Sequence, residues 1–258
     1  MWRFFIFACL LFHFKTYSQS IGSVLPISSG AASALYNPAS VINGDSSWEL
    51  VLLHRSKLLM KPLAESSVML AYGKSPKSRV GVGMNYTGYT LLNRTHAGVT
   101  YARQITDQIA MGVRLDLFHL AQGEHYGSAT AITGSCGMHW RVSKLLSSEV
   151  YIQNPNRAPM ADIRTPTKIN AAIHWTASKQ AVVSFGLRKE GEQSVAYQLQ
   201  VDYVPSPKVH LKMGVANGFE PFTMGLSVRT HRIEWGMFSA YHMVFGFSPG
   251  GYLRIRKV

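Results

Sequence analysis

Between residues 107 and 119 apolar side chains take every second position. Ile109, Met111, Val113, Leu115 and Leu117 fall on one side of an extended chain, with Ala110, Gly112, Arg114 and Asp116 on the other. A repeat of two sends successive side chains to opposite faces of a β-strand, and a helix cannot keep it. The pattern returns along the chain. Val80, Val82, Met84 and Tyr86 alternate with Gly81, Gly83, Asn85 and Thr87. Val195, Tyr197, Leu199, Val201 and Tyr203 alternate with Ala196, Gln198, Gln200 and Asp202. Val209, Leu211, Met213 and Val215 alternate with His210, Lys212, Gly214 and Ala216, and Phe222, Met224, Leu226 and Val228 with Thr223, Gly225, Ser227 and Arg229. Each segment has one face fit for lipid or a core and one that is small or polar.

Gly, Ser, Asn, Thr and Pro punctuate these runs and divide the chain into about fourteen strand segments. They cover residues 48–55, 67–73, 79–89, 96–104, 108–119, 127–142 and 148–153, then 168–177, 181–188, 194–204, 208–216, 221–230, 232–241 and 244–256. The joints at 106–107, 178–180, 205–207, 217–218 and 231 are very short, while 91–95, 121–126, 154–167 and 189–193 read as longer loops. An even number of strands of about ten residues, with short turns on one rim and longer loops on the other, predicts an all-β fold. The expected form is a closed antiparallel up-and-down transmembrane β-barrel, in which closure pairs every backbone group. A soluble β-sandwich also alternates. Against it, the polar faces are rich in Gly, Ala, Ser and Thr, and charged residues make up only 15% of the chain.

The formal charge is +13. Nucleic-acid binding needs clustered cations, whereas Lys and Arg here are scattered, which fits anionic outer-membrane lipid and lipopolysaccharide better. At the N-terminus, Met1-Trp2-Arg3 precedes an apolar stretch over 4–14 and a small residue, Ser18, the pattern of a cleaved signal peptide. The expected division is therefore a signal peptide over 1–18, an N-terminal segment over 19–46 and a barrel over 47–258, exported to the bacterial outer membrane. Cys9 lies in the leader, leaving Cys136, which reads as a small strand residue; no internal disulfide is expected.

The segment Gly30-Ala31-Ala32-Ser33-Ala34-Leu35-Tyr36-Asn37-Pro38-Ala39-Ser40, with Ala97-Gly98-Val99-Thr100-Tyr101-Ala102-Arg103 and Val150-Tyr151-Ile152-Gln153-Asn154-Pro155, resembles the PorV/PorQ-type outer-membrane barrels of Bacteroidota. That family is distantly similar to the FadL-type transporters. The resemblance implies fourteen strands, a lumenal segment acting as a partial plug, and a role either in uptake of hydrophobic compounds or in type IX secretion. The chain departs from the family in its short length and in its C-terminus, Arg254-Ile255-Arg256-Lys257-Val258, which does not close on an aromatic residue.

With this register the polar residues turned to the lumen are Asn85, Arg114, Asp116, His174, Arg188, Gln198, Gln200, Asp202, Lys212, Arg229 and Glu234. Charges inside a barrel must pair or meet water. Pairs such as Arg114 with Asp116 and Asp202 with Lys212 suit networks that fill the interior; lining a polar channel is the alternative. Asn37-Pro38 reads as a turn that pins a lumenal segment, or as a ligand contact. No nucleophile elbow, metal-binding helix or phosphate loop occurs, so neither an enzyme, a cofactor nor a metal is expected. His125, His139 and His242 read as interface or loop residues. Tyr and Trp near strand ends fit interfacial girdles. Two functions stay open: passage or binding of small hydrophobic molecules, and a non-transporting part of a secretion or surface-assembly complex.

Overall fold

A computed structural model describes residues 29–75, 77–123, 127–160, 163–218 and 220–257. The expected signal peptide, the first part of the expected N-terminal segment (19–28) and His125 lie outside them.

Each alternating run becomes a strand paired with its chain neighbours. The first seven are β1 (Trp48–Ser56), β2 (Ala64–Ser75), β3 (Ser78–Tyr89), β4 (Leu92–Gln104), β5 (Ile109–Gln122), β6 (Ser128–Arg141) and β7 (Leu146–Gln153). A two-residue ladder follows, β8 (Pro159–Met160) with β9 (Ile163–Arg164). The last seven are β10 (Lys168–Thr176), β11 (Ala181–Glu190), β12 (Ala196–Ser206), β13 (Val209–Ala216), β14 (Phe222–Arg229), β15 (Ile233–His242) and β16 (Gly246–Arg256). Apart from the small ladder, neighbours pair antiparallel in sequence order, and β1 closes on β16 from Glu49 opposite Arg256 to Arg55 opposite Gly250. The result is a closed up-and-down barrel of fourteen strands, as the alternation predicts.

Three loop expectations are corrected. Residues 92–95, expected in a loop, belong to β4, so the joint after β3 is only Thr90-Leu91. β5 likewise runs on to Gln122 and β11 to Glu190. In each case the partner strand supplies backbone hydrogen bonds beyond the last alternating residue, a gain no local pattern records.

The start of β1, the end of β16, Lys77 and the turns at 105–108, 142–145, 177–180, 207–208 and 230–232 fall on one rim, here the short-turn rim. The outer wall is apolar. Val113 is 59% exposed, Leu115 62% and Met237 67%, and at each of these positions burial from water is worth roughly 1.5–3 kcal/mol. Tyr72, Tyr101, Trp140, Trp175, Tyr203 and Trp235 ring the wall towards the short turns, and Tyr86, Tyr89, Tyr197 and Tyr241 towards the loops.

The core is inside the barrel. Two 3-10 turns, Gly30–Leu35 and Pro38–Asn43, are buried almost throughout and pack on the inner faces of β2 to β6. Small inward residues make room for them. A Cβ on Gly112 would meet the Pro38 carbonyl and the Ala39 nitrogen, one on Gly83 the Leu35 side chain, and one on Gly81 Ala34 and Val41. Ala31, Ala34, Leu35 and Val41 then share one apolar cluster with Val51 and Leu53 of β1, Met69 and Ala71 of β2, Phe238 and Tyr252. This explains why Val51 and Leu53 on the inner side of β1 are apolar: they meet the segment rather than water. Gly112→Val is expected to cost about 1–3 kcal/mol, because the new methyls meet backbone that has no rotamer to give way; chemical denaturation of the refolded protein checks it.

Candidate functional site

Three charged side chains hold residues 31–40 against the wall. Glu49 of β1 is fully buried and accepts the Ala31 amide at 2.8 Å, while Arg254 of β16 donates to its other oxygen at 3.0 Å. Arg114 of β5 donates to the carbonyls of Tyr36 at 2.8 Å and Ala34 at 3.3 Å. Glu149 of β7 accepts Asn37 Nδ2 at 2.9 Å and Ser40 Oγ at 2.7 Å. Short 3-10 turns leave backbone groups without internal partners, and these wall residues supply them. Asn37 also caps its own turn, its Oδ1 accepting the Ala39 amide at 3.1 Å. Thr100 Oγ1 adds a bond to the Ala34 carbonyl at 2.9 Å.

Each anchor is itself oriented. Arg114 Nε donates to Asp116 at 2.6 Å, and Asp116 also meets His96 at 2.6 Å and Ser135. His174 lies 3.5 Å from Glu149 and bonds Ser184 through Nδ1 at 2.8 Å. Charged groups removed from water are tolerable only with such partners. Asp45 sits just before β1. Burial pushes its carboxyl up, but the guanidinium groups of Arg256, 2.8 Å away, and Arg254, 3.9 Å away, hold it below the ordinary range.

The remaining residues expected in the lumen face inward but form separate groups. Asn85 donates to Glu65 and Ser67, both at 2.8 Å. Arg188 pairs with Glu190 at 2.9 Å, and Lys168 reaches the same carboxylate at 3.1 Å. Gln200 donates to Asp202 at 2.8 Å, and Lys212 lies 3.3 Å from that carboxylate. Arg229 donates to Glu234 at 3.0 Å, and Glu234 also receives Tyr252 at 2.9 Å. Of the expected set, Asn37, Arg114, Asp116 and His174 therefore gather around the buried segment, while Asn85, Asp202, Lys212, Arg229 and Glu234 serve other parts of the lumen.

Glu49, Glu149, His96 and Arg254 were not among the expected residues. Glu149 shares its face with Tyr151 and Gln153, so the alternation of 148–153 contained the signal; Glu49 shares the inner face of β1 with the apolar Val51 and Leu53 and, at the far end, Arg55. Among the described residues, no group of three or more His, Cys, Asp or Glu is placed to hold a metal ion.

Beside the segment lies a cavity of about 150 Å³. Tyr36, Glu149, Tyr151, Asn170, Arg188 and Gln198 contribute to its lining, and it reaches the outward-facing Leu187 and Tyr197 where Ala171, Ala172, Gly186 and Ala196 leave the wall thin. Asn170 Nδ2 is buried and has no hydrogen-bond partner among the described residues. The cavity thus combines three aromatic rings, small aliphatic groups and a few polar atoms, the usual lining of a small-molecule site.

No family model matches the chain, and no curated protein matches it in sequence. Solved structures do. The toluene transporter TodX of P. putida superimposes with a TM-score of 0.66 at 8% identity, over 88% of this chain and 92% of that one. The CymD monoaromatic hydrocarbon channel gives 0.61 at 12%, over 91% and 93%. A FadL homologue of Pseudomonas aeruginosa gives 0.58 at 8%, over 90% and 94%. At such identities the likeness is one of architecture, and the chain has the fold of the FadL-like fourteen-stranded barrels.

Proposed function

We propose that this protein is a bacterial outer-membrane barrel of the PorV/PorQ type, exported by a cleaved signal peptide, which binds and passes small hydrophobic molecules. Residues 29–44 act as its lumenal plug. The observation that carries this reading is the cavity between buried segment and wall, enclosed by a barrel whose outer surface is apolar. Support comes also from the fold shared with a toluene transporter and a monoaromatic hydrocarbon channel. Short turns face the periplasm and loops the exterior in barrels of this kind.

If hydrocarbon surrounds the wall, Val113→Arg and Leu199→Arg are each expected to cost about 2–4 kcal/mol in refolding into vesicles. Both side chains are outward and exposed, so neither substitution has a role inside the barrel to confuse the result. Unchanged stability in both variants would place water outside.

The cavity is tested by filling it. A Cβ on Gly186 meets no atom closer than 3.9 Å, so a side chain can start from this cavity-lining position, and Gly186→Leu is the variant that fills it. Uptake of radiolabelled toluene by cells carrying the variant is expected to fall on the order of tenfold, the size of effect from losing a site of a few apolar contacts. Equal uptake by wild type, variant and deletion strain overturns the transport reading. That outcome, with a protein companion at one-to-one ratio on purification, is what the alternative requires, a non-transporting component of a type IX secretion or surface-assembly complex.

A further inference from the structure

The scattered positive charge of the sequence is not scattered in space. Every turn on the short-turn rim contains or adjoins an exposed cation: Lys77, Arg103, Lys144, Lys179, Lys208 and Arg232 in order around the barrel. Lys74, Arg141 and Lys257 bring the exposed cations there to nine, against Lys61, Arg94 and Arg157 on the other rim among the described side chains. Exposed carboxylates on the short-turn rim number two, Asp45 and Asp107, and Asp45 is already paired with Arg256. Among the described residues, none of the nine cations is in an ion pair.

Their placement selects the partner. On two strands a cation continues the outward stripe one step past an interfacial or apolar residue: Tyr101 then Arg103, Ile255 then Lys257. Such positions lie at headgroup depth, directly beyond the aromatic ring. Successive turns are two strands apart, or roughly 10 Å along the perimeter, and the cations follow that perimeter all the way round. A folded acidic protein would engage one sector of the rim. An annulus of anionic lipids meets all of it.

We infer that the short-turn rim is a binding surface for the phosphate groups of anionic phospholipids in the leaflet it borders, so that the barrel recruits phosphatidylglycerol-like lipids around its base. This rests on the membrane-spanning reading above.

The tryptophans make it measurable. Apart from Trp2 in the expected leader, all of them, Trp48, Trp140, Trp175 and Trp235, are outward on this same rim. The chain from residue 19 is folded into phosphatidylcholine vesicles containing a fixed fraction of acyl-brominated phosphatidylglycerol or, in parallel, acyl-brominated phosphatidylcholine. The expected result is stronger quenching by phosphatidylglycerol, corresponding to about threefold enrichment at the rim, from the attraction between the basic residues and anionic headgroups. The preference is expected to vanish in 1 M salt, where screening is complete within about 3 Å, and in the variant carrying Gln at Lys77, Arg103, Lys144, Lys179, Lys208 and Arg232. Because the salt arm uses the unaltered protein, it stands even if that variant does not fold. Equal quenching by the two lipids at low salt, or a preference that survives both salt and neutralisation, overturns the inference while leaving the barrel in the bilayer. Absence of quenching by either lipid overturns the membrane-spanning reading itself.

Discussion

Deleting residues 29–44 is expected to convert a silent barrel into a conducting one, seen as stepwise current in planar bilayers that the intact protein lacks. The interior of a closed barrel widens with strand number: eight strands are filled by their own side chains, while sixteen to eighteen leave a water channel. Fourteen strands lie between, and here the inward positions against the segment are held by Gly81, Gly83, Gly112 and Gly137, too small to fill the space themselves. The segment fills it instead. The barrel is expected to survive the deletion, because every wall strand pairs on both sides without it. A milder form removes two anchors: Glu49→Ala with Glu149→Ala takes away the acceptors of Ala31, Asn37 and Ser40, charge-assisted bonds worth about 1.5–3 kcal/mol each. Brief openings are expected from that variant. Equal and negligible conductance from all three proteins would mean that the segment closes nothing.

The second large effect belongs to Arg114. Its guanidinium is buried, pairs with the fully buried Asp116, and donates to two backbone carbonyls of the segment. Arg114→Ala strands a carboxylate with no solvent to receive it, at an expected cost of about 3–5 kcal/mol. Adding Asp116→Ala is expected to recover part of that loss, since the pair vanishes together, and a double-mutant cycle should report coupling of about 0.5–3 kcal/mol. Urea unfolding from vesicles provides the measurement. Additive effects would indicate that Arg114 acts through the segment's carbonyls alone.

How much of this was legible beforehand follows from what alternation can carry. Period two sets which face a residue occupies, and the wall of β5 shows the result: Met111, Val113, Leu115 and Leu117 outside, Gly112, Arg114 and Asp116 inside. The Arg114–Asp116 and Asp202–Lys212 pairs could be foreseen because same-face neighbours on one strand, or on adjacent antiparallel strands, must touch. Alternation carries no information about depth along the barrel axis, which depends on strand pairing across many residues. For that reason Asn85, Arg114 and Glu234 appeared as one lumenal set although they serve three separate networks. Glu49 was hidden for another reason. The buried segment turns the inner face of β1 into core, and its apolar Val51 and Leu53 make the acidic residue look incidental. Inward glycines counted only as part of a small or polar face, yet at Gly112 and Gly83 they record where another part of the chain approaches.

The central claim is that the outer face meets hydrocarbon while the inner face meets the folded-in N-terminal segment. Cys136, exposed on the outer face of β6 and opposite Val113, reports on it directly, being the one cysteine in the chain from residue 19. With bimane attached there and the protein folded into vesicles, quenching by acyl-brominated lipid and indifference to aqueous iodide are the expected result. Quenching by iodide with no response to the brominated lipid would contradict the account.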